Sequence, residues 1–446
     1  MKTNIRSNKK LISTLLSLAL FLSCNSVKNS SDKKKDPIIS TTTQTAIYVA
    51  SNKIQQNSIY AYTQNEDGTL NFINEYVSGG KGSGNIEIFD WGYDPTHPLK
   101  DGIDPLISAY ALTKTQNNKH LLVCNPGDGS ISAFTIHKDK SLTLTDTQKA
   151  GHLHPNSIAS HNNLVYVASS SGSDTPPPFK GNLKGFKISK DGKLTAIPNS
   201  IRALNARPSC AAFSNDGKFL IVNELVSGLV KVYGVHNNGQ LSKEPLSKAQ
   251  CPNNSEPGRW LPIPVGFDIV EKGNNSIVLV SEARFLTPNG TLREEANIVP
   301  QSPKYSWQTG STSSFSIDPE GMIKLISGDI KTGNASEGGQ IANCWVEISS
   351  DGNTLYTANA LSSSISTYAI KPNGEIILND ATAYKDSTET IFFSDLAISK
   401  KGRFLNQLIG NKGQILVIDI TNNKLKKVTQ SGNMVPIGTF GLTVVE

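Results

Sequence analysis

Short apolar segments alternate with small polar residues along this chain, and the whole pattern recurs. The first copy covers residues 47–70 and ends in Asp67-Gly68-Thr69-Leu70. The later copies cover residues 121–142, 165–194, 220–241, 278–323, 355–376 and 404–425. Internal repetition of this kind determines the architecture on which every other motif is placed.

The apolar segments have the composition of β-strands. They are short, rich in β-branched and aromatic residues, and separated by Gly, Asn, Asp and Ser. Phe219-Leu220-Ile221-Val222 is apolar on both faces and must therefore be covered on both sides. Four-stranded antiparallel sheets stacked around an axis meet that need and leave only short edges. The sequence predicts an all-β propeller of seven blades.

An innermost strand is expected before each repeat. The candidates are residues 154–160, 208–214, 264–270, 343–349 and 393–399. Blade one lacks such a strand because Ile47 directly follows a polar leader, and residues 438–445 have the missing pattern. We expect this C-terminal segment to pair in blade one, so that the ring has no free seam. The predicted propeller domain covers residues 46–446.

Two segments, residues 74–108 and 283–312, exceed the repeat and predict long loops on one face, where binding groups tend to lie. The aromatic residues that could stack on a ring or pack between blades are Trp91, Tyr93, Trp260, Trp307 and Trp345. The residues that could bind a divalent metal, or instead form Asx turns, are Asp90, Asp94, His97, Asp101 and Asp104. We favour turns, and we expect neither a metal nor a cofactor.

The N-terminus predicts export. Four basic residues precede an apolar run at residues 11–22, which is too short to span a membrane. Ser23-Cys24 resembles a bacterial lipoprotein cleavage site, whereas the alternative is a plain signal peptide that contains a cysteine. We favour a signal peptide at residues 1–23, a lipid on Cys24, and a disordered polar tether at residues 24–45. This predicts a protein anchored to the bacterial outer membrane, on its periplasmic or surface face.

The charge distribution and the cysteine spacing give no indication of a nucleic-acid-binding protein or of a cysteine metal site. The formal net charge of +6 comes from the leader, so the remaining chain is near neutral and nothing indicates a nucleic-acid partner. Cys124, Cys210, Cys251 and Cys344 fit no metal-binding spacing. Export would permit a disulfide, but four buried thiols are the favoured interpretation.

The strand-Asn-turn-strand unit resembles the YVTN-type repeat. Further matching motifs are Asp104-Pro105-Leu106-Ile107-Ser108, Val123-Cys124-Asn125-Pro126-Gly127, Cys344-Trp345-Val346 and Ser394-Asp395-Leu396-Ala397. Together they are similar to the seven-bladed lactonase-type propellers, which include propeller 6-phosphogluconolactonase and the carboxymuconate cyclising enzymes. The resemblance implies a His, an Arg and a Glu near the central channel. These correspond to His154 and Glu224, while Arg207 lies two residues before the family's Arg position, which is Ser209 here.

The implied chemistry is the opening or closing of a small carboxylated or sugar-derived lactone. His154 could move a proton, Arg207 could hold a carboxylate, and Glu224 could orient the histidine or act as a second base. The predicted substrate-binding residues are Ser209, Glu282, Trp345 and Asp395. We expect the ligand at the mouth of the central channel. The rival hypothesis is a non-catalytic propeller, which would bind a ligand or a surface protein. Either is expected to be a monomer.

Overall fold

The fold consists of β-strands joined by tight turns. The computed structural model describes residues 44–84, 107–170, 180–225, 227–254, 259, 261–286, 309–333, 340–386, 391–399, 401–421, 424–432 and 435–446. In chain order the strands are β1 Thr45–Ala50, β2 Ser58–Gln64, β3 Leu70–Val77, β4 Leu112–Lys114, β5 His120–Asn125, β6 Ser130–Ile136, β7 Leu142–Lys149, β8 Pro155–His161, β9 Leu164–Ser170, β10 Gly181–Ile188, β11 Leu194–Ala196, β12 Arg202–Leu204, β13 Pro208–Phe213, β14 Phe219–Glu224, β15 Leu229–Gly234, β16 Ser247–Gln250, β17 Leu261–Lys272, β18 Asn275–Leu286, β19 Ser311–Ile317, β20 Ile323–Lys331, β21 Asn343–Ile348, β22 Thr354–Asn359, β23 Ser364–Ile370, β24 Ile376–Lys385, β25 Phe393–Ile398, β26 Phe404–Ile409, β27 Gln414–Asp419, β28 Lys426–Gln430 and β29 Leu442–Val445.

The strands form seven antiparallel sheets, which are the blades of a propeller. In blades two to seven, the first strand in sequence is the innermost; these are β4, β8, β13, β17, β21 and β25. Blade three has a fifth strand, because β12 pairs with β10 beside β11. The predicted fold and five of its predicted inner strands are confirmed. No helix among the described residues is long and apolar enough to cross a membrane.

Blade one is closed by the C-terminal strand, as predicted. β29 pairs antiparallel with β1, with Val445 opposite Ala46 and Leu442 opposite Val49. Val444 packs into an apolar cluster that also contains Leu408 of blade seven. The two ends of the propeller therefore share one sheet, and the seam is buried.

The Asp-Gly-x-Leu motif forms the outer turn of a blade. In the first copy, Asp67 accepts a hydrogen bond from the Thr69 amide at 3.0 Å, which is an Asx turn. Gly68 has φ +87°, and a Cβ there would lie 3.0 Å from the Phe404 ring. The motif therefore needs glycine both for its backbone conformation and for the approach of the neighbouring blade.

Residues 107–111, which we call the axial plug, cross the centre of the ring just before β4. Their contacts are Ser108 Oγ to Asn156 O at 2.6 Å, Ala109 N to Ser209 O at 2.9 Å, Tyr110 Oη to Phe267 O at 3.0 Å, and Trp345 Nε1 to Ser108 O at 2.9 Å. These partners belong to blades three, four, five and six. Ile107 and Tyr110 have φ of 45° and 63°, an unfavourable conformation for residues other than glycine. The contacts with four other blades hold this segment in its unfavourable backbone conformation.

Three carboxyl groups line the axis and tie successive blades together. Asp268 accepts a hydrogen bond from the Ile348 amide at 3.1 Å, Glu347 one from Ile398 at 3.1 Å, and Asp395 one from Leu442 at 3.0 Å. Each acceptor is in one blade and each donor in the next, so the series runs from blade five through six and seven to one.

Burial shifts the protonation of these axial carboxyl groups. It raises the pKa of Asp268 to about 6 and that of Asp395 to about 7. Burial also raises the pKa of Glu347 well above its usual range, and the nearby Asp268 raises it further. A carboxyl group removed from water is harder to ionise.

The four cysteines in the described part of the chain are buried thiols with no disulfide bond between them, as favoured from the sequence. Burial raises the pKa of Cys124 and Cys210 well above the usual thiol range. These thiols are therefore poor nucleophiles at neutral pH.

Candidate functional site

The inner strands begin on one face of the ring, which we call the mouth face. In blade four, Pro208 at the start of β13 lies opposite Glu224 at the end of β14. The start of the first strand and the end of the second therefore meet on this face. His154, Arg207 and Glu224 all lie there, as the sequence predicts.

The three predicted catalytic residues lie at the mouth ends of two neighbouring blades that a crevice separates, with His154 in blade three and both Arg207 and Glu224 in blade four. The His154 carbonyl accepts a hydrogen bond from the Ser170 amide at 3.0 Å, which fixes the histidine, at φ +51°, to the end of β9. The Arg207 carbonyl accepts one from the Leu225 amide at 2.9 Å, beside Glu224. His154 is half-buried, and Arg207 is buried. We call this region the 3/4 crevice.

Side chains of blade four point into the crevice from strands β14 and β15. Val222 packs with Leu183 and Leu204 of blade three, so this face of β14 is turned towards blade three. Glu224 is two residues further along β14, and Lys231 on β15 is paired with Val222. Residues two apart on a strand, and residues directly opposite one another, share a face. Glu224 and Lys231 therefore lie above the apolar floor of the crevice.

Glu224 and Lys231 form a buried ion pair. Lys231 Nζ lies 2.5 Å from Glu224 Oε1, and Ser227 Oγ donates to Glu224 Oε2 at 2.7 Å. Glu224 is fully buried and Lys231 is 7% exposed. Both carboxylate oxygens thus have a hydrogen-bond donor within the protein. Sequence reasoning missed Lys231. The available signal was a lysine between Val230 and Val232, in a strand whose other residues are mostly apolar.

Asn156 is a second crevice residue that sequence reasoning missed. Its Nδ2 donates to the Pro208 carbonyl at 2.7 Å, which links the start of β8 to the start of β13. The side chain is fully buried, yet its Oδ1 has no hydrogen-bond partner. Such an atom is uncommon in a folded protein, and a ligand or water donor would satisfy it.

The four predicted substrate-binding residues lie outside the 3/4 crevice. Ser209 Oγ lies 2.8 Å from both Asn223 Oδ1 and the Pro264 carbonyl oxygen, on the side of blade five, and its single hydroxyl hydrogen can be donated to either. Trp345 is buried beneath the axial plug, and Asp395 is one of the axial carboxyl groups. The hydrogen-bonding groups of these three residues are thus engaged within the protein, and their role towards a ligand stays a prediction.

Glu282, the fourth of these residues, belongs to a buried charge cluster in blade five. Glu282 Oε2 lies 2.6 Å from Arg284 Nη2, which also lies 2.8 Å from Asp329 Oδ1. Arg259 donates to both oxygens of Asp329, at 3.1 and 2.6 Å. Burial lowers the pKa of Arg284, while Glu282 and Asp329 oppose that shift. Two acids and two guanidinium groups are paired here, an arrangement that needs both signs of charge, while Glu282 Oε1 has no hydrogen-bond partner among the described residues.

Several sequence candidates fall outside the described residues. These are Cys24, Asp90, Trp91, Tyr93, Asp94, His97, Asp101, Asp104, Trp260 and Trp307. The Gly-rich stretch at residues 79–84 is described, and it packs against blades one and two: the Gly82 amide donates to the Lys53 carbonyl at 2.8 Å. In the described part of the chain, no group of three or more His, Cys, Asp or Glu is placed to hold a metal ion.

The comparisons with known proteins agree with this architecture. No family model and no curated protein matches the sequence. The chain is similar in structure to a periplasmic gluconolactonase of Pseudomonas aeruginosa, with a TM-score of 0.59 and 16% identity over 90% of this chain and 99% of that one. The chain has the fold of the lactonase-type propellers.

Two further solved structures support the same assignment of fold. A proposed 6-phosphogluconolactonase of Bacteroides fragilis has a TM-score of 0.61 and 16% identity, over 91% of this chain and 99% of that one. A Lactobacillus plantarum protein has a TM-score of 0.61 and 17% identity, over 90% and 99%. The resemblance predicted from the repeats is confirmed. At this level of identity the likeness concerns the fold, and fold does not determine the reaction.

Proposed function

We propose that the protein is a lactone hydrolase whose active site is the 3/4 crevice. The observation that carries the proposal is the placement of His154 at the mouth end of blade three and of Arg207 and Glu224 at the mouth end of the neighbouring blade four, in a propeller of the lactonase type. An imidazole can transfer a proton in ester hydrolysis, and cationic groups can stabilise the charge that develops on oxygen. The fold alone would not support a reaction.

The proposed step is the attack of water on the lactone carbonyl carbon. His154 takes a proton from the water as its oxygen bonds to that carbon, and the carbonyl oxygen becomes an oxyanion. The oxyanion then collapses, the bond to the ring oxygen breaks, and the proton on His154 passes to that oxygen. The product is a hydroxy acid, and nothing is oxidised or reduced. Arg207 is suited to hold the carboxylate that forms.

The substrate class follows from the proposed compartment. The leader predicts export, and an exported protein would not meet a phosphorylated cytosolic sugar lactone. We therefore propose a small, unphosphorylated lactone, either sugar-derived or carboxylated. The name of the Pseudomonas neighbour, a periplasmic gluconolactonase, supports this choice.

The test is a lactone screen with the purified full chain, in which a pH-stat measures acid release above the spontaneous rate. Glucono-1,5-lactone is the first probe. His154→Ala is expected to lower kcat at least about a hundredfold, the usual scale for lost acid–base catalysis. His236→Ala is the matched control, because His236 is an exposed histidine on an outer turn of the neighbouring blade four. Equal rates in both variants would refute catalysis at this crevice.

A non-catalytic binding propeller is the second candidate function. The observation that favours it is the engagement of both Glu224 oxygens by Lys231 and Ser227, because these internal hydrogen bonds compete with any contact between the carboxylate and a substrate. In that case lactones or hydroxy acids would bind to the full chain without turnover. Calorimetric titration with gluconate separates the two functions.

A further inference from the structure

We propose that Lys231 binds the oxygen that becomes negatively charged during lactone opening, and that Glu224 positions Lys231 rather than acting as a base. This inference rests on the proposed lactone hydrolysis in the 3/4 crevice. It assigns Glu224 a role different from the second-base role considered from the sequence.

The position of Lys231 carries the first step. Its neighbours on the same face of the blade, Val222 and Tyr233, belong to the apolar cluster between blades three and four. An apolar residue of similar length would complete that cluster at lower cost, since burying a charge requires compensation. Lys231 instead places its ammonium group at the mouth end of the crevice, level with Glu224.

The hydrogen bonds of Lys231 carry the second step. Among the described residues, its ammonium group donates one hydrogen bond, to Glu224 Oε1. An ammonium group has three N–H donors. Two N–H groups of Lys231 are thus available to donate to another oxygen. The third donates to Glu224, and this bond fixes the orientation of the ammonium group. Ser227 holds Glu224 from the other side, at 2.7 Å from Oε2, so the anchor itself is fixed.

A second observation points to an occupant of this crevice. Asn156 Oδ1 is fully buried and has no partner, and the same amide group is bonded to Pro208, which lies directly opposite Glu224. A ligand hydroxyl would satisfy this acceptor, whereas an oxyanion would not. A hydroxylated lactone offers both groups: a hydroxyl for Asn156 and a carbonyl oxygen for Lys231.

The test compares Lys231→Met and Lys231→Arg in the full chain, with glucono-1,5-lactone as substrate. Lys231→Met is expected to lower kcat by about a hundredfold or more, with a smaller change in KM, because loss of one oxyanion donor has that effect. Lys231→Arg retains a cationic donor, and its kcat should be at least about tenfold higher than that of Lys231→Met. Lys218→Met, at an exposed ion pair with Asp216 in the same blade, is the matched control and should leave kcat unchanged.

Folding defects are separated by a second measurement. Lys231→Met leaves Glu224 buried without its cation, so melting curves accompany the kinetics, and rates are expressed per folded molecule. The double variant Lys231→Met/Glu224→Gln removes both charges and should refold without recovering kcat. Recovery of wild-type kcat in the double variant would overturn the proposal, because the pair would then be structural.

Failure of the inference differs from failure of the proposed function. If the wild type is active and Lys231→Met has the same kcat, the inference about Lys231 is overturned and the proposed hydrolase function is not. An inactive wild type ends the hydrolase proposal, and gluconate binding by calorimetry then decides for Lys231. Binding that weakens at least about tenfold in Lys231→Met supports it as the oxygen-binding residue, and either no binding or equal binding in both proteins overturns it.

Discussion

At the scale of single residues, the axial carboxyl groups make the protein sensitive to pH. Burial raises the pKa of Asp395 to about 7, above the value near 4 of an unfolded chain. The folded protein therefore binds more protons than the unfolded chain between about pH 4 and 7. The contribution of Asp395 to the free energy of unfolding therefore falls as pH rises through that window, and it is fully present only below it.

Asp395→Asn tests this sensitivity. The amide oxygen can still accept the Leu442 N–H, but the side chain no longer titrates. Between pH 4.5 and 7.5 the wild type is expected to lose more unfolding free energy than the variant, by on the order of 2–4 kcal/mol. Urea titrations at fixed salt measure it. Asp67→Asn is the control, since its turn hydrogen bonds to Thr69 lower the pKa of Asp67. A pH dependence that is identical in Asp395→Asn and wild type would contradict the assignment.

The residue scale also shows where sequence reasoning fails. The positions of His154, Arg207 and Glu224 were predictable because motif order places them at strand ends on one face; their catalytic role stays a prediction. Lys231 and Asn156 were missed because their roles depend on which side of a blade faces which neighbour. The alternation along a strand tells which residues share a face of the sheet. It does not tell which neighbouring blade that face contacts.

At the scale of elements, β29 contributes to two apolar clusters from its two faces. Val444 is buried against blade seven, whereas Thr443 is only partly buried. Val444→Ala is expected to lower the unfolding free energy by about 1–3 kcal/mol, because it leaves a cavity in the closure. Thr443→Ala, one residue away, should change it by no more than about 0.5 kcal/mol. Chemical denaturation compares the two, and equal effects would show that the seam is loosely packed.

Strand pairing was largely predictable from the sequence, whereas the axial plug was not. The sequence provides no inner strand before Ile47 in blade one, and residues 438–445 have the pattern of an inner strand. Closure of blade one by the C-terminus could therefore be predicted from the number of strands. β4 has three residues, too few for a periodic signal. The plug before it has no regular pairing, and its conformation depends on contacts with four other blades. Long-range packing of this kind leaves no local pattern.

At the scale of the whole molecule, the chain enters the ring on the face opposite the mouth. β1 runs antiparallel to β29, so Thr45 lies beside the end of the inner strand and not its beginning. The lipid anchor on Cys24 is a prediction from the leader sequence.

Metabolic labelling with a fatty-acid probe tests the anchor. The wild type is expected to carry the label and to sediment with membranes, because Cys24 follows a short apolar run that ends in a small residue. Cys24→Ala should lose the label. Cys124→Ala, a buried cysteine of the propeller, is the control and should keep it. An unlabelled wild type in the soluble fraction would favour a plain signal peptide.

Closure of blade one by β29 also sets the order in which the propeller can be completed during synthesis. Ala46 leaves the ribosome long before Val445, its partner across the sheet. Until then β1 presents an unpaired inner edge, which is a template for pairing with another chain. Blades two to seven contain all their own strands and can form first. A nascent chain must therefore keep one blade open for nearly the whole of translation, and its need for chaperones should be concentrated on that single edge.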